Sequence, residues 1–423
     1  MGSRATCGSV LSIALFILTG CTPLGLNTAR SDTNGLPPAA PPIIAPEQGS
    51  SLSSPEIWGE HRKAYLRGAF EAWVYGPVPS ELRAVEIARR TVDEAYAGGL
   101  GILEEVEVRV GEGPQAPTFH IALATPRSVP PGMRSPLIVG ENFCGNPTIA
   151  EAPSLSPPKN GEGCSATGAV GAVLRAIFGR HILESPNEEI LRRGYAYANV
   201  YPGELVADNP RRARSDLEVF SALLPESRRP RGAIAVWAAA FGWSLDVLEE
   251  DPRIDPARTA IYGHSRHGKA ALLAGALDSR IEAVIAHQSG RGGASLTRSR
   301  TGETLTRITS SYPHWFDPNF VRFGMRPDDP PIDQHMLIAM LAPRPVLLGN
   351  GWRDVWSDPN SAFRAAAGAT VVYDLLGVPG LTQRGMSDQS SEGAIDYYIR
   401  PGGHGVTEGD WKRFMDFLDH RLR

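Results

Sequence analysis

Short apolar, β-branched runs alternate with helical patterns along the body of the chain, from about Pro55 to Arg423. A parallel sheet that is covered on both faces has buried strands of this kind, connected by helices. The alternation therefore predicts an α/β fold, a three-layer sandwich around a mostly parallel sheet. The predicted strands are Leu137–Val139, Tyr195–Tyr201, Thr259–Tyr262, Ala283–Ala286, Pro345–Leu348 and Ile395–Tyr398, and the predicted helices are Gly232–Leu248, Gly268–Leu277, Pro359–Ala367 and Thr407–Leu422.

The N-terminal residues have the pattern of an export signal. Arg4 precedes an apolar run from Val10 to Leu18, which is too short to span a bilayer as a permanent helix. Leu-Thr-Gly followed by Cys21 resembles the lipobox of bacterial lipoproteins, whose cysteine is lipidated. We therefore expect residues 1–20 to be a lipoprotein signal peptide, with an ordinary signal peptide and an incidental cysteine as the alternative. Thr22, where an Asp would indicate inner-membrane retention, favours the outer membrane, on its periplasmic or its outer side.

Residues 21–54 are rich in Pro, Ala, Ser, Thr and Gly and have no sustained apolar period. Such a segment buries too little surface to offset its ordering entropy, so we expect a flexible tether. No second linker and no internal repeat follow, and residues 55–423 are therefore expected to form one catalytic domain. Within that domain, Thr148–Thr167 holds Pro, Ser, Gly and Asn with little periodicity and predicts a surface loop.

The overall composition excludes some partners. The net charge is −4 over 423 residues, and no basic stripe with interleaved aromatic side chains is present, so nucleic acid is not an expected partner. No His and Cys cluster has the spacing of a zinc site, and we expect neither a metal nor an organic cofactor. We expect a monomer that contacts membrane only through its N-terminal lipid. Cys144 and Cys164 can pair in an oxidising compartment, with a free buried thiol as the alternative.

Ser265 follows the predicted strand Thr259–Tyr262 and precedes a helix that starts near Gly268. A strand, a sharp turn and a helix form the nucleophile elbow of α/β-hydrolases, which holds a serine hydroxyl on a strained corner. Gly263 and Gly268 let the strand and the helix pack closely. His267 stands where the usual motif has a glycine, so this elbow is a variant. We predict an α/β-hydrolase with Ser265 as its nucleophile; a glycine-flanked serine in an ordinary turn is the alternative.

A serine nucleophile needs a base and an orienting acid, and α/β-hydrolases carry the three in the order serine, acid, histidine. His404 lies between the last predicted strand and the last predicted helix, within Pro-Gly-Gly-His-Gly, and is the expected base. Asp354 follows the preceding strand and is the expected acid, whereas Asp358 is expected to cap the next helix. Three further histidines are set aside, two beside the elbow and one expected to anchor a loop: His264, His267 and His335.

The run from Gly263 to Lys269, Gly-His-Ser-Arg-His-Gly-Lys, is similar to the Gly-[Cys/His]-Ser-Arg-x-Gly-Lys signature of glucuronoyl esterases, carbohydrate esterase family 15. The resemblance covers nearly the whole body of the chain. Members of that family cleave esters between glucuronic acid side chains of xylan and lignin alcohols, and the resemblance implies this activity here. Other segments that resemble bacterial members are Trp73–Pro77, Glu141–Asn146, Gln288–Ala294, Pro313–Phe316, Asp333–His335, Ala342–Pro345 and Asp354–Trp356.

The resemblance also implies roles for the residues around the serine. Arg266 would stabilise the oxyanion through its backbone N–H and its guanidinium, and Lys269 would hydrogen-bond the sugar hydroxyls. Glu303 and Trp356 match family positions that contact the glucuronate ring. Without the resemblance, the last three residues have simpler interpretations as a solvated helix lysine, a loop carboxylate and a core indole.

Gln288 departs from the family pattern. Many members carry a glutamate at this place, and it orients the histidine. A neutral amide cannot stabilise an imidazolium as a carboxylate does. We therefore assign the acid to Asp354, which stands at the alternative acid position of bacterial members, and place Gln288 among the residues expected to face the substrate.

Two other functions stay open. An acetyl-xylan or feruloyl esterase would use the same triad but hold the sugar on the alcohol side of the ester, which leaves less purpose for Arg266 and Lys269. A surface-tethered glycan-binding protein on a hydrolase fold would show no turnover. The intact order of Ser265, Asp354 and His404 disfavours this non-catalytic alternative.

Overall fold

The computed structural model describes Ile43 and residues 55–130, 132–159, 164, 168–323, 332–388 and 392–422. The predicted signal peptide, Cys21 and the predicted tether apart from Ile43 lie outside these ranges. Nine strands of the described residues form one sheet. They are β1 (Ala84–Ala95), β2 (Gly101–Val110), β3 (Thr118–Pro126), β4 (Ser135–Glu141), β5 (Ala196–Val200), β6 (Ile254–His264), β7 (Ala283–His287), β8 (Val346–Gly351) and β9 (Ile395–Arg400).

The sheet is antiparallel at one edge and parallel through the rest, in the strand order β1-β2-β3-β5-β4-β6-β7-β8-β9. The pairs β1·β2, β2·β3 and β3·β5 are antiparallel, and every pair from β5·β4 to β8·β9 is parallel. Parallel neighbours end at the same edge of a sheet, so the loops after β6, β7, β8 and β9 lie side by side. The mostly parallel sheet confirms the predicted fold class.

Helices cover both faces of the sheet. Successive strand residues point to opposite faces, and apolar side chains on both faces need to be buried. On β4, Leu137 and Val139 belong to one buried cluster, whereas Ile138 belongs to a second. The first cluster includes residues of the helices Ala233–Leu248, Arg266–Leu277, Gln334–Ala339 and Pro359–Leu375, and the second includes residues of Glu408–Leu422, which gives the predicted three layers. The helices longer than one turn are α1 (Lys63–Phe70), α2 (Gly168–Phe178), α3 (Asn187–Arg192), α4 (Pro210–Ala222), α5 (Ala233–Leu248), α6 (Arg266–Leu277), α7 (Leu305–Ser311), α8 (Gln334–Ala339), α9 (Pro359–Leu375) and α10 (Glu408–Leu422).

All six predicted strands and all four predicted helices are present, several with different ends. The largest difference is α9, which was predicted to stop at Ala367 and continues to Leu375. Burial of Ala369, Val372 and Tyr373 stabilises this extension, and it outweighs the cost of about 1 kcal/mol that a glycine at position 368 adds within a helix. His335, which was expected to anchor a loop, is fully buried on a short helix, α8.

Ile43 contacts the domain although it lies within the predicted tether. Its side chain is 3% exposed and belongs to the first core cluster, and its carbonyl oxygen accepts a hydrogen bond from Nε of Arg62 at 3.1 Å. At this residue, packing against the domain therefore begins before the predicted boundary at residue 55.

Cys144 and Cys164 form a disulfide, with their Cα atoms 4.6 Å apart. The bridge closes most of the predicted loop Thr148–Thr167, which is irregular after a one-turn helix at Asn146–Ile149; residues 160–163 and 165–167 lie outside the described part. Across the described ranges, we find no helix with the length and apolar character that crossing a membrane requires.

Candidate active site

The three residues of the predicted triad lie at the carboxyl edge of the sheet. Ser265 directly follows β6, Asp354 follows β8, and His404 follows β9. Because these strands are parallel and lie close together in the sheet, their following loops meet. The ring of His264, which precedes the serine, has its centroid 4.6 Å from that of His404. The structure thus brings the predicted nucleophile, acid and base to one place.

Ser265 sits on a strained turn between β6 and α6, with φ 56° and ψ −120°. Its N–H donates to the carbonyl oxygen of His287 at 2.8 Å. A Cβ atom on Gly263 would lie 2.1 Å from the carbonyl oxygen of His267, and one on Gly268 would lie 3.0 Å from the carbonyl oxygen of Gly263. The two glycines therefore allow the close approach of strand and helix that the elbow needs, while His267 contributes only its backbone to that contact.

His404 and Asp354 form a hydrogen-bonded pair. Nδ1 of His404 donates to Oδ2 of Asp354 at 2.8 Å, and the Asp354 side chain is 3% exposed against 24% for His404. Burial opposes ionisation of Asp354, but His404 and hydrogen bonds from Ser357 outweigh it and lower the pKa of this carboxyl below its usual value. With Nδ1 acting as the donor, Nε2 of the neutral imidazole is free of hydrogen and can accept a proton.

The side chain of Gln288 holds the loop that carries His404. Its Oε1 accepts from the N–H of Gly405 at 2.7 Å, and its Nε2 donates to the carbonyl oxygen of Gly403 at 3.0 Å. Gln288 is buried and has a left-handed φ of 48°. We expected Gln288 to face the substrate, whereas both polar atoms of its amide bind the main chain on the two sides of the histidine.

A buried ion pair holds the same loop. Nε of Arg400 donates to Asp410 at 2.8 Å, and its guanidinium also donates to the carbonyl oxygens of Gly403 at 3.3 Å and Gly405 at 2.8 Å. Burial opposes ionisation of Asp410, but His287 and Arg400 lower its pKa far below the usual value. The position of the imidazole is therefore fixed by contacts to its neighbours in the chain as well as by Asp354.

Arg266 is the first residue of α6, so its backbone N–H has no partner within that helix. The guanidinium lies over the ring of Phe143, at 4.9 Å, and over the ring of Trp315, at 5.4 Å. Asp208 forms an ion pair with it. Burial lowers the pKa of Arg266 from its usual value, yet an arginine remains charged at neutral pH. The residue that directly follows Ser265 thus carries both a free backbone donor and a cationic side chain.

Lys269 lies one helical turn after Ser265 and is buried. Its Nζ donates to the carbonyl oxygens of Ser289 and of Arg291, the latter at 2.7 Å. An ammonium group has three N–H donors, so one remains for another acceptor. Burial lowers the pKa of Lys269 to about 8, and the nearby Glu303 opposes this shift.

Glu303 and Trp356 lie on two loops that are joined by their main chains, because the N–H of Glu303 donates to the carbonyl oxygen of Trp356 at 3.0 Å. Burial raises the pKa of Glu303, and Lys269 opposes this shift. The buried guanidinium of Arg291 donates to the carbonyl oxygen of Glu303 at 2.8 Å and to four other carbonyl oxygens between residues 296 and 301. The three residues expected to contact sugar are therefore gathered beside the elbow.

Asp358 caps α9, as expected: its Oδ1 accepts from the N–H of Ser361 at 3.3 Å. Sequence reasoning missed Asp208 and the Arg400–Asp410 pair, because no local motif marks them and their roles arise only when distant loops meet. Within the part of the chain that the structure describes, no group of three or more His, Cys, Asp or Glu side chains is arranged to hold a metal ion.

Comparisons with known proteins place this chain in a family. The family model for glucuronyl esterase of fungi matches residues 163–377. A carbohydrate esterase, MZ0003, from an unknown prokaryotic organism is 34% identical over 385 residues, which cover 88% of this chain and 87% of the relative. The chain belongs to the glucuronoyl esterases of carbohydrate esterase family 15. The resemblance seen in the sequence is thereby confirmed.

Other relatives of this glucuronoyl esterase are fungal and bacterial. The 4-O-methyl-glucuronoyl methylesterase of Schizophyllum commune is 25% identical, over 81% of this chain and 74% of its own. Among solved structures, a promiscuous esterase of the same family from a marine bacterial metagenome has a TM-score of 0.76 at 32% identity, covering 93% of this chain and 98% of the other. A glucuronoyl esterase from Solibacter usitatus has a TM-score of 0.77 at 28% identity, covering 93% and 99%.

Proposed function

We propose that the enzyme hydrolyses the ester between glucuronic acid, or its 4-O-methyl form, on xylan and the alcohols of lignin. The observation that carries the proposal is the His404–Asp354 pair beside the strained Ser265, with Arg266 and Lys269 on the following helix. Family membership supports it, since the relative from Schizophyllum commune is named a 4-O-methyl-glucuronoyl methylesterase.

The first half of the reaction transfers the uronoyl group to the enzyme. Ser265 Oγ attacks the ester carbonyl carbon while Nε2 of His404 takes the hydroxyl proton, and buried Asp354 stabilises the resulting imidazolium. The backbone N–H and guanidinium of Arg266 stabilise the oxyanion; one fixed donor of this kind is commonly worth about 10²–10³ in rate. When the tetrahedral intermediate collapses, the C–O bond to the alcohol breaks and His404 returns the proton to the leaving oxygen.

The second half releases the acid. His404 takes a proton from water, whose oxygen attacks the acyl carbon, and the oxyanion forms again beside Arg266. Collapse breaks the bond to Ser265 Oγ, which regains its proton from His404. The product is glucuronic acid on its xylan chain, and each proton removed by the histidine has been returned.

Recognition of the uronoyl side depends on the residues one turn along α6 and on the facing loops. The third N–H of Lys269 and the carboxylate of Glu303 offer a donor and an acceptor for sugar hydroxyls. Trp356 offers an indole next to them, and its Nε1 has no hydrogen-bond partner among the described residues. Such a polar cluster on the acyl side favours a uronoyl group over a small acetyl group.

The sharpest test of the function is steady-state kinetics on paired methyl and benzyl esters of glucuronate and galacturonate, with Ser265→Ala as the control. We expect turnover of glucuronate esters and none with Ser265→Ala. Turnover of acetylated xylan or feruloyl esters in preference to benzyl glucuronate would favour the alternative esterase function. Absence of all turnover, with glycan binding unchanged by Ser265→Ala, would favour the non-catalytic alternative.

For the N-terminal segment, we infer export as a monomeric outer-membrane lipoprotein lipidated on Cys21. The apolar run and the Leu-Thr-Gly-Cys sequence support this inference. Expression of the full chain with radiolabelled palmitate tests it: the native chain should incorporate label and sediment with membranes, and Cys21→Ser should do neither. Equal labelling of both chains would contradict lipidation at Cys21.

A further inference from the structure

Asp208 lies in the loop between β5 and α4, and its carboxylate is bound by three donors from distant parts of the chain. Nη1 of Arg266 pairs with Oδ2. Nε2 of His314 donates to Oδ1 at 2.9 Å, and Nε1 of Trp315 donates to the same oxygen at 2.6 Å. A carboxylate with three donors is well satisfied, and its position is fixed by each of them.

The two donors other than Arg266 are themselves rigidly placed. The carbonyl oxygens of His314 and Trp315 accept hydrogen bonds from the N–H groups of Ala233, at 2.8 Å, and Ile234, at 3.2 Å, at the start of α5. Burial lowers the pKa of His314 to about 4, so its ring is neutral at physiological pH and carries its hydrogen on Nε2, toward the carboxylate. Asp208 is therefore anchored to the core of the domain.

The guanidinium of Arg266 is in turn fixed from three directions. The rings of Phe143 and Trp315 lie at 4.9 and 5.4 Å from it, and Asp208 binds the Nη1 edge. The side chain nevertheless keeps 21% of its surface exposed. Asp208 thus holds one edge of the guanidinium while part of the side chain stays open to solvent.

From these contacts we propose that Asp208 is the positioning residue of the oxyanion site: it holds the guanidinium of Arg266 so that its exposed part can meet the reacting oxygen. The proposal rests on the proposed function, in which Arg266 stabilises the oxyanion. An arginine side chain has many rotamers, and a donor accelerates a reaction only when it is already in place as charge develops. Asp208 acts through Arg266 and does not itself contact the substrate.

The test is a double-mutant cycle between Asp208→Asn and Arg266→Ala, with kcat and KM measured on benzyl glucuronate and on p-nitrophenyl acetate. Asparagine keeps the size of the side chain and removes the charge that holds the guanidinium. The matched control is Asp216→Asn on α4, because Asp216 accepts from the N–H of Ala207 at 2.9 Å and supports the same loop without reaching Arg266. Trp315→Phe is a milder variant, which keeps an aromatic ring at this position and removes one donor to Asp208.

We expect Asp208→Asn to lower kcat about 10-fold on both esters with little change in KM, a fraction of the effect of losing an oxyanion donor outright. In the Arg266→Ala background the same substitution should change kcat less than about twofold, since there is no guanidinium left to position. Trp315→Phe should lower kcat by less than Asp208→Asn, and Asp216→Asn should leave it unchanged.

Two results would overturn the proposal: an unchanged kcat in Asp208→Asn, or an equal fall with and without Arg266. If Asp208→Asn fails to fold, Trp315→Phe takes its place in the cycle, with the same expectation of coupling to Arg266. Failure of the proposed function looks different, because the wild-type enzyme would then fail on benzyl glucuronate while p-nitrophenyl acetate still reports on the oxyanion site.

Discussion

Nδ1 of His404 lies 2.8 Å from Oδ2 of Asp354, although the two residues are on loops that follow different strands. This contact supports our prediction that Asp354, in the loop after β8, is the acid of the triad, whereas Gln288 follows β7. The two positions thus divide the work: Asp354 carries the charge beside the imidazole, and Gln288 holds the main chain around it.

Replacing the acid should nearly abolish activity. In Asp354→Asn the amide cannot stabilise the imidazolium, and we expect kcat on benzyl glucuronate to fall on the order of 10⁴-fold. Circular dichroism checks that the fold is kept, and Gln288→Ala is the comparison variant, which should lose far less. A larger loss in Gln288→Ala than in Asp354→Asn would reverse the assignment.

A glutamate placed at position 288 should not take over the role of Asp354 as the acid of the triad. The Gln288 amide binds Gly403 and Gly405, and a carboxylate has no N–H for the Gly403 carbonyl oxygen. We expect Gln288→Glu to lower kcat about 10-fold and to give no recovery when added to Asp354→Asn. Steady-state kinetics of the two single variants and the double variant measure this. A kcat in the double variant more than about 100-fold above that of Asp354→Asn alone would show that either position can supply the acid.

The pH profile should show the titration of Lys269. Because burial lowers its pKa to about 8, the side chain is a cation below pH 8 and becomes a neutral amine above it. We expect kcat/KM for glucuronate esters to decline as pH rises through 8, since the cation no longer binds the sugar side of the ester. Hydrolysis of p-nitrophenyl acetate, which has no sugar, should lack this decline. The same decline for both esters would assign it to a different group.

Removal of the disulfide should destabilise the domain. Cys144 and Cys164 are 20 residues apart in the chain. Closing a loop of this size lowers the conformational entropy of the unfolded state, which stabilises the folded state by about 3 kcal/mol. Urea unfolding of the Cys144→Ala, Cys164→Ala double variant should show a loss of this order. The wild-type enzyme in reductant should match it, and equal stability of oxidised enzyme and double variant would contradict a contribution from the bridge.

The parts of the fold that were predictable are those with a local signal. The parallel strands are apolar runs, and Ser265 lies in a motif whose strand, turn and helix are consecutive in the chain. The antiparallel edge was missed, and in β2 one cause is visible: Glu104 and Glu105 interrupt the apolar pattern, yet both are buried and paired with Arg253 and Arg90. Such pairs form between distant residues and leave no local pattern.

The same distinction holds at the site. His404 and Asp354 could be placed because they follow successive strands at one edge of the sheet. The partners of Gln288 could not be predicted, because an amide can bind a substrate or a main chain equally well and only the folded loop decides between them. Asp208 was missed for the same reason, since its three donors come from α6 and from the segment after α7.

If Cys21 is lipidated, as inferred, the burial of Ile43 limits how far the catalytic domain can work from a membrane. The reach of the domain is then set by the residues before Ile43 rather than by the whole segment to residue 54. At about 3.4 Å per residue, the stretch from Cys21 to Ile43 spans no more than roughly 75 Å when fully extended. A tether of this length would let the enzyme act on soluble fragments of cell-wall polymer that diffuse to the bacterium. It would not let the enzyme reach an intact wall at a distance.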